Sequence, residues 1–392
     1  MASAAVPEGL DFSKVSTPAY IVDLSKLEEN LRLLAKVEEE SGARILLALK
    51  GFSMYGVFGL VNKYLKGTTS SGINEALLAK EYFGGEVHVY NPAFERGELE
   101  ELAKFAHTIV FNSQRQVEKY AGLARKIAGE NGNENLEIGL RVNPEYAEVE
   151  TDIYNPCAPG SRLGALRSEL DDSVFGKIDM LHFHAMCEQN SDVLGRILAH
   201  FEKKFGDVIG KVKKLNFGGG HHITKPGYDA AKLVGLVKGF YKKYPNIEKI
   251  YLEPGEAIAL NTGVFASRVM ETVKNGCDIA ILDCSATCHM PDVLEMPYRP
   301  QIFGAGLPGE KAHTYSLGGR SCLAGDRIGD YSFDAPLGEG DVLVFGDMAH
   351  YTMVKTTTFN GVNLPDIATW NPETKEYKVL KSFGYNEFKS RI

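Results

Sequence analysis

The feature of this 392-residue sequence that most constrains its fold is a regular alternation of short apolar runs and amphipathic helical patterns. Eight runs are predicted to form strands, at 44–49, 69–71, 86–90, 108–111, 137–142, 179–185, 214–217 and 249–252. Helical patterns occupy 24–40, 74–83, 97–106, 114–128, 193–212 and 230–244. Alternating strands and helices favour parallel pairing, and eight such units predict a closed (β/α)8 barrel in an α/β protein.

Beyond about residue 261 the pattern changes to β-rich runs separated by glycine-containing turns. The runs 263–273, 278–282, 341–345 and 351–359 predict strands of an antiparallel sandwich or barrel. A chain of this length also exceeds what one hydrophobic core usually holds. We therefore expect a barrel domain at 21–258, and a β domain formed by 259–392 together with 1–20.

Composition places the chain among globular proteins, with 44% hydrophobic and 24% charged residues. No apolar stretch approaches the ~20 residues of a membrane span, and the first residues lack the basic and apolar regions of a secretion signal. The six cysteines form no Cys-x-x-Cys pair, which is typical of reduced thiols in a cytoplasm. The net charge of −8 argues against a nucleic-acid partner and fits a cationic substrate.

Lys50 ends the first apolar run, Arg44-Ile-Leu-Leu-Ala-Leu-Lys50. An ammonium group next to apolar surroundings tends to have a lowered pKa. A neutral amine at a strand end can form a Schiff base with pyridoxal phosphate. Taken alone, a strand-end lysine more often reaches the surface or pairs with a carboxylate.

The ends of other predicted strands carry further groups that such a cofactor needs, and in a barrel all these ends converge on one face. The triplet Gly218-Gly219-Gly220 lets backbone N–H groups approach a phosphate. Glu253 can keep a pyridine nitrogen protonated, His184 can lie on the ring face, and Arg141 can pair with Glu253 or the phosphate. Each also has a simple structural explanation: a turn, a surface carboxylate, a core histidine or an ion pair.

In this order the motifs resemble those of the fold-type III pyridoxal phosphate-dependent decarboxylases, the family of ornithine and diaminopimelate decarboxylases, from Thr17 to Thr352. The resemblance implies that Lys50 holds the cofactor, that His184 stacks on its ring, that Gly218–Gly220 bind its phosphate and that Glu253 contacts its ring nitrogen. It also implies a homodimer in which Cys322 reaches the partner subunit's site and returns a proton to the substrate. Tyr351 would close over the cofactor phosphate.

The sequence departs from ornithine and diaminopimelate decarboxylases at two positions. Glu256 stands where they have a phosphate-binding arginine, and Leu323 stands where they have an acidic residue after the cysteine. With segments 152–164 and 297–300, these departures resemble the carboxynorspermidine and carboxyspermidine decarboxylases of polyamine biosynthesis. That resemblance implies a carboxylated triamine substrate, whose cationic arm needs acidic partners.

Four carboxylates are candidates for binding this arm: Glu256 and Asp292 first, then Glu295 and Asp326. For Glu295 and Asp326, a solvated loop face explains the charge equally well. The choice between an aminopropyl and an aminobutyl arm stays open, because one methylene changes binding by only ~1–3 kcal/mol.

Other functions remain open from the sequence. An ornithine- or diaminopimelate-type decarboxylase and a racemase would share the cofactor, although a racemase is expected to have an arginine and a tyrosine where Glu253 and Cys322 stand. A metal-dependent barrel hydrolase would use the alternating histidines of the sixth strand and further ligands after them, namely His182, His184, His221, His222 and Asp283. We expect no metal, since such hydrolases need neither the glycine triplet nor the Glu-Pro-Gly sequence. A non-catalytic cofactor carrier is disfavoured by the extra β domain.

Overall fold

The computed structural model describes residues 5–149 and 151–392, and the chain divides into two compact units. One unit is Asn30–Ile258, and the other combines the N-terminal residues up to Glu29 with Ala259–Ile392. The strands are β1 Ala19–Asp23, β2 Arg44–Ile45, β3 Leu47–Ala48, β4 Gly67–Ser70, β5 Glu86–Tyr90, β6 Thr108–Phe111, β7 Glu137–Arg141, β8 Met180–His182, β9 Lys214–Asn216, β10 Lys249–Leu252, β11 Gly263–Lys274, β12 Asp278–Leu282, β13 His313–Gly318, β14 Arg327–Phe333, β15 Val342–Gly346, β16 Asp366–Asn371 and β17 Glu376–Lys381. The helices are α1 Leu24–Ser41, α2 Phe58–Tyr64, α3 Ile73–Leu78, α4 Arg96–Ala103, α5 Gln114–Glu130, α6 Ser191–Ile209, α7 Ala230–Lys243, α8 Glu256–Ala259, α9 Ala286–His289, α10 Asp292–Glu295 and α11 Tyr385–Lys389.

The strands β2 to β10 form an all-parallel sheet in the order β2-β10-β9-β8-β7-β6-β5-β4-β3. The first predicted strand is interrupted at Leu46, because the chain changes its partner there. Its first part pairs with β10, and the Leu46 N–H donates to Leu252 O; its second part pairs with β4. The two ends of the sheet therefore meet in one segment, which confirms the predicted (β/α)8 barrel.

The helices on the outside of the barrel are stabilised by side-chain caps at their N-termini and by apolar stripes that pack inward. The Ser113 side chain accepts from Gln116 N at the start of α5, and Asp229 accepts from Lys232 N at the start of α7. Such caps stabilise a helix by about 1 kcal/mol each. The longest helix, α6, buries Leu194, Ile197, Leu198, Phe201, Phe205 and Val208 on one face, and each buried side chain of this size contributes roughly 1.5–3 kcal/mol.

Apolar side chains fill the middle of the barrel. Leu46, Val110, Met180 and Tyr251 form a buried cluster, with Tyr90 packed against it. This filling leaves the carboxyl ends of the strands, and the loops that follow them, as the place where polar side chains gather.

The other unit contains an eight-stranded sheet in the order β14-β13-β12-β11-β1-β16-β17, with β15 paired to β11. Its pairings are antiparallel except β1–β16 and β12–β13. The N-terminal strand β1 lies between β11 and β16, so both ends of the chain contribute to this sheet.

The predicted strand at 351–359 is wrong, because this stretch forms turns. Tyr351 has a φ of 44°, which no strand residue adopts, and a 3₁₀ turn, Phe359–Gly361, ends the stretch. Throughout the part of the chain that the structure describes, no helix combines the length and the apolar character that crossing a membrane requires.

Candidate active site

A pocket opens at the carboxyl ends of the barrel strands. It brings together five residues that the sequence predicts to bind a cofactor: Lys50, Arg141, His184, Gly219 and Glu253. The remaining lining residues are Ala48, Thr69, Ser70, Ser71, Tyr90 and His182. The barrel topology therefore joins side chains that lie up to about two hundred residues apart in the sequence.

Lys50 lies in a tight turn directly after β3. The Ala48 carbonyl accepts hydrogen bonds from the N–H groups of Gly51 and Phe52, at 3.0 and 3.3 Å. A Cβ atom on Gly51 would come within 2.9 Å of Gly255 Cα, so the glycine lets the ends of β3 and β10 approach each other. Burial, assisted by the positive charge of Arg141, lowers the pKa of Lys50. The side chain stays accessible from the pocket, so water limits this shift.

Glu253 follows β10, and both of its carboxylate oxygens have a partner. Asn216 Nδ2 donates to Oε1 at 2.8 Å, and His182 Nε2 lies 3.3 Å from Oε2. Burial raises the pKa of this carboxyl group, but His182 and the hydrogen bonds from Asn216 and Thr69 outweigh burial, so the net shift is downward. The carboxylate is therefore ionised at neutral pH.

The orientation of the His184 ring is set by a backbone hydrogen bond. Its Nδ1 accepts from the N–H of Gly219 at 2.8 Å, which places the proton of the neutral ring on Nε2. Burial, with the positive charge of Lys50, holds its pKa well below the usual range. His184 is therefore a neutral, fixed aromatic face in the pocket.

The glycine triplet is needed first for close packing. A Cβ on Gly218 would lie 2.4 Å from Phe183 O, and one on Gly220 would lie 2.2 Å from Met186 O. Both glycines also have a positive φ.

Two of the three N–H groups of the triplet donate to acceptors within the protein. The Gly218 N–H donates to Asn216 Oδ1, and that of Gly219 donates to His184, each at 2.8 Å. The N–H of Gly220 is the one that remains for an anion.

Arg141 is buried beside the cofactor residues, but it does not pair with Glu253, one of the two partners that we expected. Its Nη2 donates to His184 O at 3.3 Å, and its Cζ lies 4.5 Å from the centre of the Tyr90 ring. In this position it adds positive potential beside Lys50.

The residues of this pocket suit pyridoxal phosphate. A lysine with a lowered pKa can hold the aldehyde carbon, and an ionised buried carboxylate can hold a protonated ring nitrogen. A neutral histidine offers a flat face to the cofactor ring. Beside it lies Gly219, where a Cβ atom would come within 2.4 Å of Glu253 O.

The ligand set predicted for a metal-dependent hydrolase is not assembled. His182 lies against Glu253, and His184 accepts from Gly219. Asp283 accepts from Ser267 Oγ within the unit that contains the eight-stranded sheet, called the β unit from here on. Within residues 5–149 and 151–392, the one group of three potential metal ligands is Glu188, His222 and Glu256. It shares only His222 with the predicted set. Glu256, the predicted substrate ligand, lies 3.2 Å from His222 Nε2.

The remaining predicted site residues belong to the β unit. Cys322 is exposed, and its N–H donates to Asn360 Oδ1 at 2.8 Å. Tyr351 has its ring 6.1 Å from that of His350.

The acidic candidates in the β unit already have partners. Lys355 pairs with both Asp292 and Glu295, the latter at 2.7 Å. Asp326 is buried and accepts from Ser321 Oγ and Thr287 N, at 2.6 and 3.2 Å, so its carboxylate organises a loop.

Sequence reasoning missed several residues that complete these contacts: Thr69, His182 as a partner of Glu253, Asn216 and Lys355. Asn216 carried a usable signal, because an amide in a predicted buried strand, two residues before the glycine triplet, needs a polar partner. Lys355 carried none.

Comparison with known proteins agrees with this geometry. Residues 19–349 match the family model described as pyridoxal-dependent decarboxylase, C-terminal sheet domain. The chain is 43% identical to the carboxynorspermidine/carboxyspermidine decarboxylase of Campylobacter jejuni, covering 97% of this chain and 99% of that protein. It is 40% identical to the carboxyaminopropylagmatine decarboxylase of Synechocystis sp., covering 97% and 96%. Its structure superimposes on that of the Campylobacter jejuni carboxynorspermidine decarboxylase complexed with norspermidine with a TM-score of 0.88, at 42% identity, covering 96% and 100%.

Proposed function

Because this chain belongs to the pyridoxal-dependent decarboxylase family, we propose that it decarboxylates carboxynorspermidine or carboxyspermidine to norspermidine or spermidine, a step of polyamine biosynthesis. The observation that carries the proposal is the pocket in which Lys50, His184 and Glu253 meet, in a chain that aligns over nearly its full length with relatives acting on such substrates. The relative named for carboxyaminopropylagmatine makes a guanidinium-ended substrate the second candidate.

The barrel residues have separate tasks in this reaction. Lys50 would hold the cofactor, and its lowered pKa favours the neutral amine that such a bond requires. The ionised Glu253 would hold the ring nitrogen, and the neutral, fixed ring of His184 would support one face of the cofactor. When bound, the cofactor supplies a ring that accepts the electron pair of the bond broken on loss of the carboxylate.

We infer that the cationic arm of the substrate is bound by Glu256 and Asp292, with Glu295 in support. Glu256 is 16% exposed, so an ammonium beside it is partly shielded from water. Asp292 and Glu295 already hold the alkylammonium of Lys355, which is the type of group that ends a polyamine. Asp326 is left out of this set, because its oxygens already accept from Ser321 in its own loop and from Thr287 in α9.

We further propose a cytoplasmic homodimer with shared active sites. Cys322 would act in the partner's site as the proton donor, and Tyr351 would close over the cofactor phosphate. The exposure of the Cys322 residue supports a role outside its own chain. The described cysteines are all free thiols, in keeping with a reducing compartment.

A side-by-side assay tests the substrate. Purified enzyme is given carboxynorspermidine, carboxyspermidine, carboxyaminopropylagmatine, diaminopimelate, ornithine and lysine, and the release of carbon dioxide is measured. We expect a carboxylated triamine to give the highest kcat/KM, because none of the three amino acids has a secondary amine within reach of the acidic residues. A preference for carboxyaminopropylagmatine would move the assignment to the second candidate, and a preference for diaminopimelate or ornithine would contradict the proposal.

A further inference from the structure

His182 lies beside Glu253 on the wall of the pocket. Its Nε2 is 3.3 Å from Glu253 Oε2, and its side chain is only 2% exposed. It is the last residue of β8, so the barrel sheet fixes its backbone. With Asn216 donating to the other oxygen, the carboxylate is held at both edges.

The imidazole has little else with which to interact. Neither ring nitrogen forms an aligned hydrogen bond within the described chain, and the 3.3 Å approach of Nε2 to Glu253 Oε2 is a close polar contact. The nearest ring, that of Tyr90, packs at 5.6 Å with its plane tilted by 57°, and Arg141 covers that tyrosine rather than the histidine. Burying an imidazole in this way is costly, and an apolar side chain would pack here without that cost.

We propose that His182 is a positioning residue that acts through Glu253, keeping the carboxylate ionised and directed at the ring nitrogen of the cofactor. Burial lowers the pKa of His182; Glu253 opposes this shift and the positive charges of Arg141 and Lys50 add to it, so the net shift is downward and the imidazole is neutral. A neutral donor stabilises the carboxylate without cancelling its charge. Glu253 therefore keeps a full negative charge for a positively charged ring nitrogen.

The test measures cofactor affinity rather than activity, so it does not depend on which substrate is correct. Apoenzyme carrying His182→Leu, which fills the space but cannot donate, is titrated with pyridoxal phosphate and followed by absorbance. Losing support for a charged hydrogen bond is expected to weaken binding about ten- to hundredfold. His182→Gln, which keeps a donor, is expected to recover most of that loss.

Two controls separate positioning from packing. A cofactor analogue with carbon in place of the ring nitrogen offers Glu253 nothing to bind, so His182→Leu should not weaken its binding. In a Glu253→Gln background, His182→Leu should likewise add no further loss.

An equal loss with both cofactors, or a loss that persists beside Glu253→Gln, would overturn the proposal in favour of a purely structural role. If His182→Leu does not fold, His182→Asn serves in the same comparisons, since its shorter amide cannot reach the carboxylate, and the same outcomes decide.

Discussion

Replacing Glu256 by glutamine is the change that most directly tests how the substrate arm is bound. The side chain has nearly the same shape but no charge, and its amide can occupy the position of the carboxylate, whose Oε1 lies 3.2 Å from His222 Nε2. Glu256 is 16% exposed, so its interaction with an ammonium group is not fully screened by water. A hydrogen bond between charged groups contributes roughly 1.5–3 kcal/mol, which corresponds to a loss in kcat/KM of about one to two orders of magnitude.

The assay compares kcat/KM for the carboxylated triamine and for diaminopimelate. Since diaminopimelate has no secondary amine in its arm, Glu256→Gln should lower the value for the triamine far more than the value for diaminopimelate. The absorbance of the bound cofactor should not change, because Glu256 does not line the pocket that Lys50 and Glu253 share.

A matched control is Glu248→Gln. Glu248 directly precedes β10, at the opposite end of the strand that Glu256 follows, and its side chain is 62% exposed beside Lys213. Glu248→Gln removes the same charge far from the pocket, so its kcat/KM should stay within about twofold of that of the unsubstituted enzyme. If Glu256→Gln and Asp292→Asn both leave kcat/KM unchanged, the proposed recognition of the arm is wrong.

Three further predictions follow from the same structure. Lys50→Ala should abolish turnover, and treatment with borohydride should no longer attach the cofactor covalently to the protein. If borohydride still attaches the cofactor to this variant, another lysine holds it. Mixing inactive Lys50→Ala and Cys322→Ala chains should restore part of the activity if the sites are shared, because a hybrid dimer has one site with both residues, whereas no recovery after proven subunit exchange would place each site within one chain. Burial lowers the pKa of His221 to about 4, so between pH 6.5 and 4 the unfolded state binds more protons there, and stability falls as the pH drops. In urea unfolding, His221→Asn should reduce this pH dependence by up to about 1.4 kcal/mol per pH unit, and an unchanged slope would show that His221 does not titrate on unfolding.

Much of the fold is predictable because the spacing of hydrophobic residues and the length of each segment can be read from the local sequence. The predicted strands 86–90, 108–111, 249–252 and 278–282 have the bounds that the structure shows. The failure at 351–359 has a physical cause as well. Its β-branched and aromatic residues have high strand propensity, but the chain turns at Tyr351, and propensity does not detect a left-handed backbone.

The meeting of the barrel residues is predictable for a different reason. Lys50 and Glu253 each follow a strand, and parallel barrel strands all present their carboxyl ends on one face. Their contacts follow from no such rule. Of the two partners expected for Arg141, Glu253 or a cofactor phosphate, the first is not observed, and the guanidinium stacks on Tyr90. A guanidinium has several partners within reach, and only the packed rotamer decides between them.

The two histidines of the sixth strand show where the reasoning from sequence stops. Residues two apart in a strand share a face, and that rule suggested a common role for His182 and His184. The strand ends at His182, so alternation no longer controls the side chain of His184. The first histidine meets Glu253, while the second accepts from Gly219. The partner that each histidine contacts depends on the residue at which the strand ends. The ends of strands are what a hydrophobic pattern predicts least accurately. The difference matters for the proposed function, in which His184 would support the cofactor ring and His182 would support the carboxylate of Glu253.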